Sequence, residues 1–501
     1  MTVTEVRAVR RSWVVLVAMS AAVTIVIFNS SAVNVALPSM STDLGLSSAA
    51  LRLVVVVYSA TFAAMLLPAG HLCNRIGART VLLIGLLSTG LGGAAAASVD
   101  NVPAIMLARA LMGIGAAFVM PSTLALVVAT ASDAGRSRAI AVWSAVSVAG
   151  AAGGPIVGGV LVEGWGWNYI FGVSAAGSAV MALVVLGVVS PTATLPRSAV
   201  NGRLLVLASG AITTFVLGVT VVSDETIVGA VLIGVAGILA LAAWVSRSRK
   251  QSGSFSADLT DSDPTTARHR RREFFGASVS NMLLFFALAG TLFVLTQKLQ
   301  FQFELSPSSA GLAVAPVTVA LILGVTSSTP CSNRFGRRPV VVAGLIVAAL
   351  ASVTLSLVGG ELHIVLGAVF VAGLGVGLAL PLVTESMVAA VPSHRVGEAA
   401  AVHDTMQEIG YALGVAVLGS VLSVVYGSNL HGPSVDNASL GATLLEADRL
   451  GDDALRESAM SAFSTGSTVA FCVGGVFLVA GAIIAHLYLP PAEYRVRNGV
   501  Q

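Results

Sequence analysis

Apolar runs of about twenty residues or more fill most of this chain, and short polar turns separate them. A helix that crosses a bilayer needs about 20 mostly apolar residues. On that template the sequence predicts fourteen helices, at 13–37, 51–70, 80–98, 103–129, 139–161, 170–190, 203–222, 226–245, 275–296, 309–329, 339–358, 363–389, 400–425 and 465–488. The first run is longer than the apolar region of a signal peptide and lacks a small-residue cleavage site, so it is expected to stay as an anchor.

Composition agrees with this pattern. Of the 501 residues 56% are hydrophobic and 10% are charged, with a mean hydropathy of +0.90, against roughly 25% charged residues in an average soluble domain. The predicted fold class is therefore an all-α polytopic membrane protein, with the lipid bilayer as its first partner. The formal net charge of +3 matters less than its placement. With residues 1–12 in the cytoplasm, Arg52, Lys298, Arg449 and Arg456 fall outside and Arg109 lies within a span; the other 22 of the 27 basic residues fall inside. That bias, together with an even number of spans, predicts a multi-pass plasma-membrane protein with both termini cytoplasmic.

Several functions are excluded by what the residues cannot do. Cys73, Cys331 and Cys472 are far apart and show no metal-ligand or disulfide spacing. The two lysines, Lys250 and Lys298, do not follow glycine, so there is no phosphate-binding GK[ST] loop. No basic face for nucleic acid is present. Neither an enzyme nor a resident metal or other cofactor is expected.

Two connections are long. Residues 246–274 are polar and arginine-flanked, and read as a cytoplasmic linker. Residues 426–463 read as an extracytoplasmic loop that holds solvated acids and a short helix. Residues 489–501 form a cytoplasmic tail.

A short motif occurs twice. Asn74-Arg75-Ile-Gly77-Ala-Arg79 returns as Asn333-Arg334-Phe-Gly336-Arg-Arg338, after the second and the tenth predicted helix. An offset of eight helices matches two six-helix bundles, at 13–190 and 275–488, with an inserted helix pair at 203–245. Duplicated halves around a central site are the architecture of secondary transporters.

Here the residues resemble the major facilitator superfamily, and within it the fourteen-span drug/proton antiporter branch. Gly70-His-Leu-Cys-Asn74-Arg75-Ile-Gly77-Ala-Arg79 is similar to that family's cytoplasmic GxLaDRxGrr loop, and Arg109-Ala-Leu-Met-Gly-Ile-Gly115 to the RxxqGxg of its helix 4. Gly150-Ala-Ala-Gly-Gly154-Pro155-Ile-Val-Gly158-Gly159 resembles the GxxxGPxxGG that marks antiporters. Its small residues allow helices to approach closely, and its proline bends the backbone. Phe28-Asn29-Ser-Ser-Ala-Val-Asn34-Val-Ala-Leu-Pro38 is similar to LDxTIVNVALP, Trp165-Gly-Trp167 stands where the branch has WRW, and the region around 391–417 matches the branch as well.

The departures concern the chemistry. Asn29 and Asn74 stand where the family has acids, and an amide cannot exchange a proton as a carboxyl does. A coupling group must then lie elsewhere, with Glu385, Asp404 and Glu408 as candidates. The last two share a helix face at i, i+4 spacing; the alternative is a solvated first turn favoured by the helix dipole. Arg109 lies roughly 9 Å into its span and either lines the central cavity or snorkels outward. If Asn29 leaves it without an anion, the cavity should prefer neutral or anionic solutes.

The resemblance implies a monomeric exporter of a small amphipathic drug or antibiotic that uses proton antiport and confers resistance. A proton-independent facilitator, a metabolite exporter and a membrane sensor on the same fold remain open.

Overall fold

The structure is a computed structural model that describes residues 3–131, 136–190, 202–222, 226–248, 264–357, 361–391, 396–430 and 439–490. Fifteen α-helices and no strand are present among them: α1 Val3–Leu44, α2 Ser48–Ile76, α3 Ala78–Ala97, α4 Val102–Thr130, α5 Arg136–Trp165, α6 Asn168–Val188, α7 Gly202–Val221, α8 Thr226–Ser248, α9 Pro264–Gln297, α10 Pro307–Phe335, α11 Arg337–Leu357, α12 Leu362–Ala389, α13 Val396–Asn429, α14 Leu440–Leu450 and α15 Asp453–Tyr488. A π-helical turn, Lys298–Gln302, closes α9.

Eleven of these helices are long and apolar enough to cross a membrane, namely α1–α4, α6, α9–α13 and α15. The apolar parts of α7 and α8 are shorter, at Val206–Val221 and Ile227–Ala243. Large apolar side chains such as Leu91, Leu107, Leu183 and Ile227 stand exposed. A soluble surface rarely tolerates so many, whereas lipid does. At one end of the molecule the helix starts are capped by side chains: Ser47, Asn101, Ser306 and Asp452 accept from the backbone amides of Ala50, Ala104, Ser309 and Leu455. These caps satisfy amides that the helix itself leaves free.

The repeated motif is not a loop. In both copies the preceding helix runs to the residue before the glycine, and the next helix starts just after it. Gly77 has φ +89° and Gly336 φ +87°, a backbone that side-chain-bearing residues rarely adopt. The symmetry extends into the packing. A Cβ at Gly85 would lie 2.8 Å from the Gly115 carbonyl, and one at Gly344 would lie 2.6 Å from the Gly375 carbonyl. Gly77 and Gly336, like Gly85 and Gly344, are 259 residues apart (336 − 77 and 344 − 85).

Helices α1–α6 pack mainly on one another, as do α9–α13 with α15, while α7 packs on α8 and leans on α2. The two groups meet chiefly through α2 on α13 and α5 on α10.

Three sequence expectations are corrected. The region 426–463 is mostly helical, because α13 continues to Asn429, α14 occupies Leu440–Leu450 and α15 begins at Asp453. The short helix expected in this region is α14, whose apolar face, with Leu440 and Ala447, is buried, while Arg449 pairs with Glu446 at 3.8 Å on the outside. The linker 246–274 is also shortened, since α8 runs to Ser248 and α9 starts at Pro264; 249–263 lie outside the described residues. Finally, Arg52 and Lys298, expected at the outer surface, are not solvated there but buried, each being 1% exposed. Arg52 turns inward from α2 and donates to the Gly419 carbonyl at 3.3 Å and to Ser423 Oγ on α13. Gly419 makes the room: a Cβ there would lie 2.6 Å from Arg52 Cδ.

Candidate functional site

Arg109 sits in the second turn of α4 and is fully buried rather than snorkelled. Its Nε donates to the Val54 carbonyl of α2 at 2.9 Å, and its Nη1 donates to Asn29 Oδ1 of α1. The guanidinium lies 4.2 Å above the Tyr58 ring and 5.9 Å from that of Phe171, a favourable placement of a cation on π-electrons. Nη2 is buried with no hydrogen-bond partner among the described residues.

Asn29 explains its own departure from the family pattern. While its Oδ1 accepts from Arg109, its Nδ2 donates to Ser174 Oγ of α6 at 2.9 Å. Ser174 already gives its proton to the Ile170 carbonyl at 3.0 Å. A carboxylate has no donor with which to satisfy that hydroxyl; an amide has both functions.

The second half presents the opposite polarity. Glu408 lies on α13, twelve residues after the helix begins, and is 9% exposed. Its Oε2 is buried with no hydrogen-bond partner among the described residues. A solvated first turn is therefore ruled out for Glu408. One turn earlier, the Asp404 side chain is 35% exposed and contacts His403 Nδ1 at 3.0 Å. His403 Nε2 meets Thr384 Oγ1 of α12 at 2.9 Å, and its carbonyl accepts from Asn281 Nδ2 of α9 at 3.4 Å. An unpaired buried carboxyl is costly as an anion, so the presence of a proton, rather than a fixed partner, sets its charge.

Tyr411 joins the two poles. It stands three residues after Glu408 on α13; its hydroxyl accepts from Asn34 Nδ2 of α1 at 2.9 Å and donates to the Ser30 carbonyl at 3.3 Å. Tyr58 and Tyr411 each stand within electrostatic reach of both Arg109 and Glu408. Asn34, a residue of the LDxTIVNVALP-like segment and a candidate for the cavity, thus bonds across the two halves. Tyr411 was missed, although its i+3 spacing from Glu408 was visible. Ser174 and Tyr58 carried no sequence signal, because only tertiary packing brings them to residue 29 or 109.

The glycine motif of α5 works on two sides. Gly150, Gly154 and Gly158 face α1; a Cβ on Gly158 would lie 2.8 Å from Ala32 Cβ. Gly159 faces the other half, where a Cβ would run into the Pro307 carbonyl, and a Cβ on Gly311 of α10 would run into the carbonyl of Pro155. Beside them Glu163 Oε2 accepts from the Ser308 amide at 3.1 Å, and hydrogen bonds from Ser308 and Ser306 hold its carboxyl below the usual carboxylate range. Gly159→Val should therefore disfavour this closed contact by about 1–3 kcal/mol, the usual cost of overpacking. The check is thiol labelling of a Ser308→Cys reporter, whose rate should rise when Gly159 is replaced.

At the opposite end the arginines that close the repeated motif, Arg79 of α3 and Arg338 of α11, bind helix ends. Arg79 donates to the Leu186 carbonyl at 3.1 Å, in the last turn of α6, and Arg338 meets His486 Nε2 at 2.8 Å, in the last turn of α15. Cations suit those positions, where the helix dipole is negative. Glu385 belongs to this network and not to the central pair: it is exposed, and its Oε1 accepts from Arg337. Arg75, Asn333 and Arg334 are exposed, Gly70 is part of α2, and the side chain of Asn74 lies outside the described residues.

The profile of the Major Facilitator Superfamily matches residues 19–253 and 277–499. The chain belongs to this family. Full-length relatives agree with that placement. It is 29% identical to the multidrug efflux pump LfrA of Mycolicibacterium smegmatis, over 96% of this chain and 97% of that one. It is 30% identical to the tetracenomycin C resistance and export protein of Streptomyces glaucescens, over 96% and 92%, and 28% identical to the methyl viologen resistance protein SmvA of Salmonella typhimurium, over 97% and 100%. Among solved structures, the fold is shared with a peptide transporter of the POT family (TM-score 0.65, 16% identity, 94% and 95% covered) and with a bacterial homologue of the lysosomal transporter Spinster (0.63, 20%, 95% and 96%). This facilitator fold places Arg109 and Glu408 on different halves with Tyr411 between them.

Proposed function

We propose that the protein is a secondary active exporter of small amphipathic drugs or antibiotics, driven by proton antiport through alternating access, and that it confers resistance in the cell membrane. The observation that carries this reading is the buried carboxyl of Glu408, whose Oε2 has no hydrogen-bond partner among the described residues, on the half opposite the one that buries Arg109, with Tyr411 reaching from α13 to α1. Relatives named as efflux and resistance proteins support the substrate class.

In this reading the molecule has fourteen spans. Helices α1–α6 form one six-helix bundle, α9–α13 with α15 form the second, and α7–α8 are the inserted pair. The Gly77 and Gly336 turns and both termini lie in the cytoplasm, so the Glu163–Ser308 and Arg52–Ser423 contacts belong to the outer side, closed in this state. Export requires those contacts to open while Glu408 takes up a proton and the drug leaves. The protein works as a monomer, with the site between its own halves.

The experiment uses purified protein in liposomes of phosphatidylethanolamine and phosphatidylglycerol, with ethidium, puromycin and tetracycline as probes and a trapped pH dye. An imposed pH gradient should drive accumulation of at least one probe, and the probe should move protons in return. Probe movement without proton movement would leave a facilitator; no movement of any probe would remove the export reading. Neutral probes should outrun the quaternary dye if Arg109 dominates the charge preference.

A further inference from the structure

Beside Glu408 lies a polar cluster that the proposed function does not use. Thr384 Oγ1 lies 3.0 Å from the Leu380 carbonyl and 2.9 Å from His403 Nε2; when its proton goes to the carbonyl, it accepts from the ring. Nε2 must then carry a hydrogen. His403 Nδ1 faces Asp404 Oδ1 at 3.0 Å, a hydrogen bond that needs a proton. That proton sits either on nitrogen, as an imidazolium beside a carboxylate, or on oxygen, as a carboxylic acid beside a neutral ring. With a hydrogen on Nε2, both forms hold one proton that can be passed on.

The surroundings leave that proton to the pair. On the same helix the nearest titratable group is Glu408, at i+4 from Asp404. On α12, Glu385 is exposed and committed to Arg337. On α9 the residue facing the cluster is the amide Asn281, whose Oδ1 is buried without a hydrogen-bond partner among the described residues; the charged stretch of that helix ends at Glu273, roughly two turns back. The Asp404 side chain is 35% exposed and that of His403 14%, while Glu408, one turn further along α13, is buried. The pair therefore stands between the wetter end of the helix and the buried carboxyl.

We propose that His403 and Asp404 form a proton-transfer dyad that loads and unloads Glu408. This rests on the antiport reading with Glu408 as the carrier. In the loading step one proton leaves the dyad for a Glu408 carboxylate oxygen, through a water or a side-chain rotation that bridges one helical turn. The dyad is left as a neutral imidazole beside a carboxylate, and it regains a proton from water at the mouth. Thr384 is a positioning residue: by accepting from Nε2 it fixes the tautomer that turns Nδ1 toward Asp404.

The test uses the same liposomes and whichever of ethidium, puromycin and tetracycline the native protein moves fastest. Two rates are compared: uptake driven by a pH gradient, and exchange of labelled for unlabelled probe at equal pH, which needs no net proton transfer. His403→Gln keeps the polar contacts but cannot shuttle a proton. It should slow gradient-driven uptake by about tenfold or more, in the range of lost acid–base assistance, with exchange nearly unchanged, and Asp404→Asn should do the same. Thr384→Val should give a smaller loss of the same kind; it serves as the test if His403→Gln does not elute as a folded species. Native gradient-driven uptake by His403→Gln would overturn the dyad, as would an equal loss of uptake and exchange, which marks a structural role. A native protein that moves the probe but no protons would overturn the antiport reading, and the dyad with it. That failure is read in the native protein, so it cannot be confused with failure of the dyad alone.

Discussion

Glu408→Gln is expected to abolish drug uptake driven by a pH gradient while leaving the protein folded. Glutamine has nearly the shape and volume of a protonated glutamic acid and still fits a site where Oε2 has no hydrogen-bond partner among the described residues. What it lacks is the proton that can leave. A loss of about a hundredfold or more is expected where the group is the carrier itself, and exchange at equal pH should fall with it, because a fixed neutral side chain mimics the protonated state from which the drug leaves. Asp404→Asn should be milder in its effect on proton stoichiometry, because Asp404 is partly exposed and paired with His403. Gradient-driven uptake and dye-reported proton movement that both persist in Glu408→Gln would remove this residue from coupling.

The second large effect is expected at Arg109. Arg109→Lys keeps the positive charge but not the planar fork that reaches Val54 and Asn29 at once while covering Tyr58. A lysine makes at most part of this set, and the Val54 carbonyl or Asn29 Oδ1 is left buried without its donor. Losing a hydrogen bond to a charged group costs about 1.5–3 kcal/mol, and the ring contact adds about 0.5–2 kcal/mol. The expected outcome is a destabilisation of about 3 kcal/mol, read from thermal unfolding in detergent, with transport reduced by at least about tenfold. Asn29→Asp is the informative companion. It supplies the acid of the family pattern and a charge partner for Arg109, but removes the donor to Ser174. If the amide matters for that donor, Asn29→Asp Ser174→Ala should transport better than Asn29→Asp alone.

Much of this site was half visible in the chain. The i, i+4 spacing of Asp404 and Glu408 showed a shared helix face, yet the apolar run that begins at Ile409 made a solvated first turn equally reasonable. Burial of Glu408 depends on α13 starting at Val396 and on the neighbours that cover it. Glu385 showed the converse: an acid near the end of an apolar helix looked like a cavity group until Arg337 was found on it. Arg52 and Lys298 stand at the ends of their apolar runs, where a charge is expected to be solvated. Their side chains turn inward instead, Arg52 onto a glycine 367 residues away.

By itself the sequence determined the membrane class, the placement of the main apolar helices, the duplication and the close-packing glycines. Each follows from local chemistry: hydrocarbon accepts only long runs without charge, and a positive-φ turn or a tight helix crossing asks for glycine wherever it occurs. Only the tertiary structure decided that Asn29 is matched to both Arg109 and Ser174, that Tyr411 ties α13 to α1, and that Glu408 alone of the three candidate acids is a buried carboxyl without a donor. These depend on which side chains meet across helices far apart in sequence. No spacing along one helix encodes that, because burial and hydrogen-bond satisfaction are properties of the assembled neighbours.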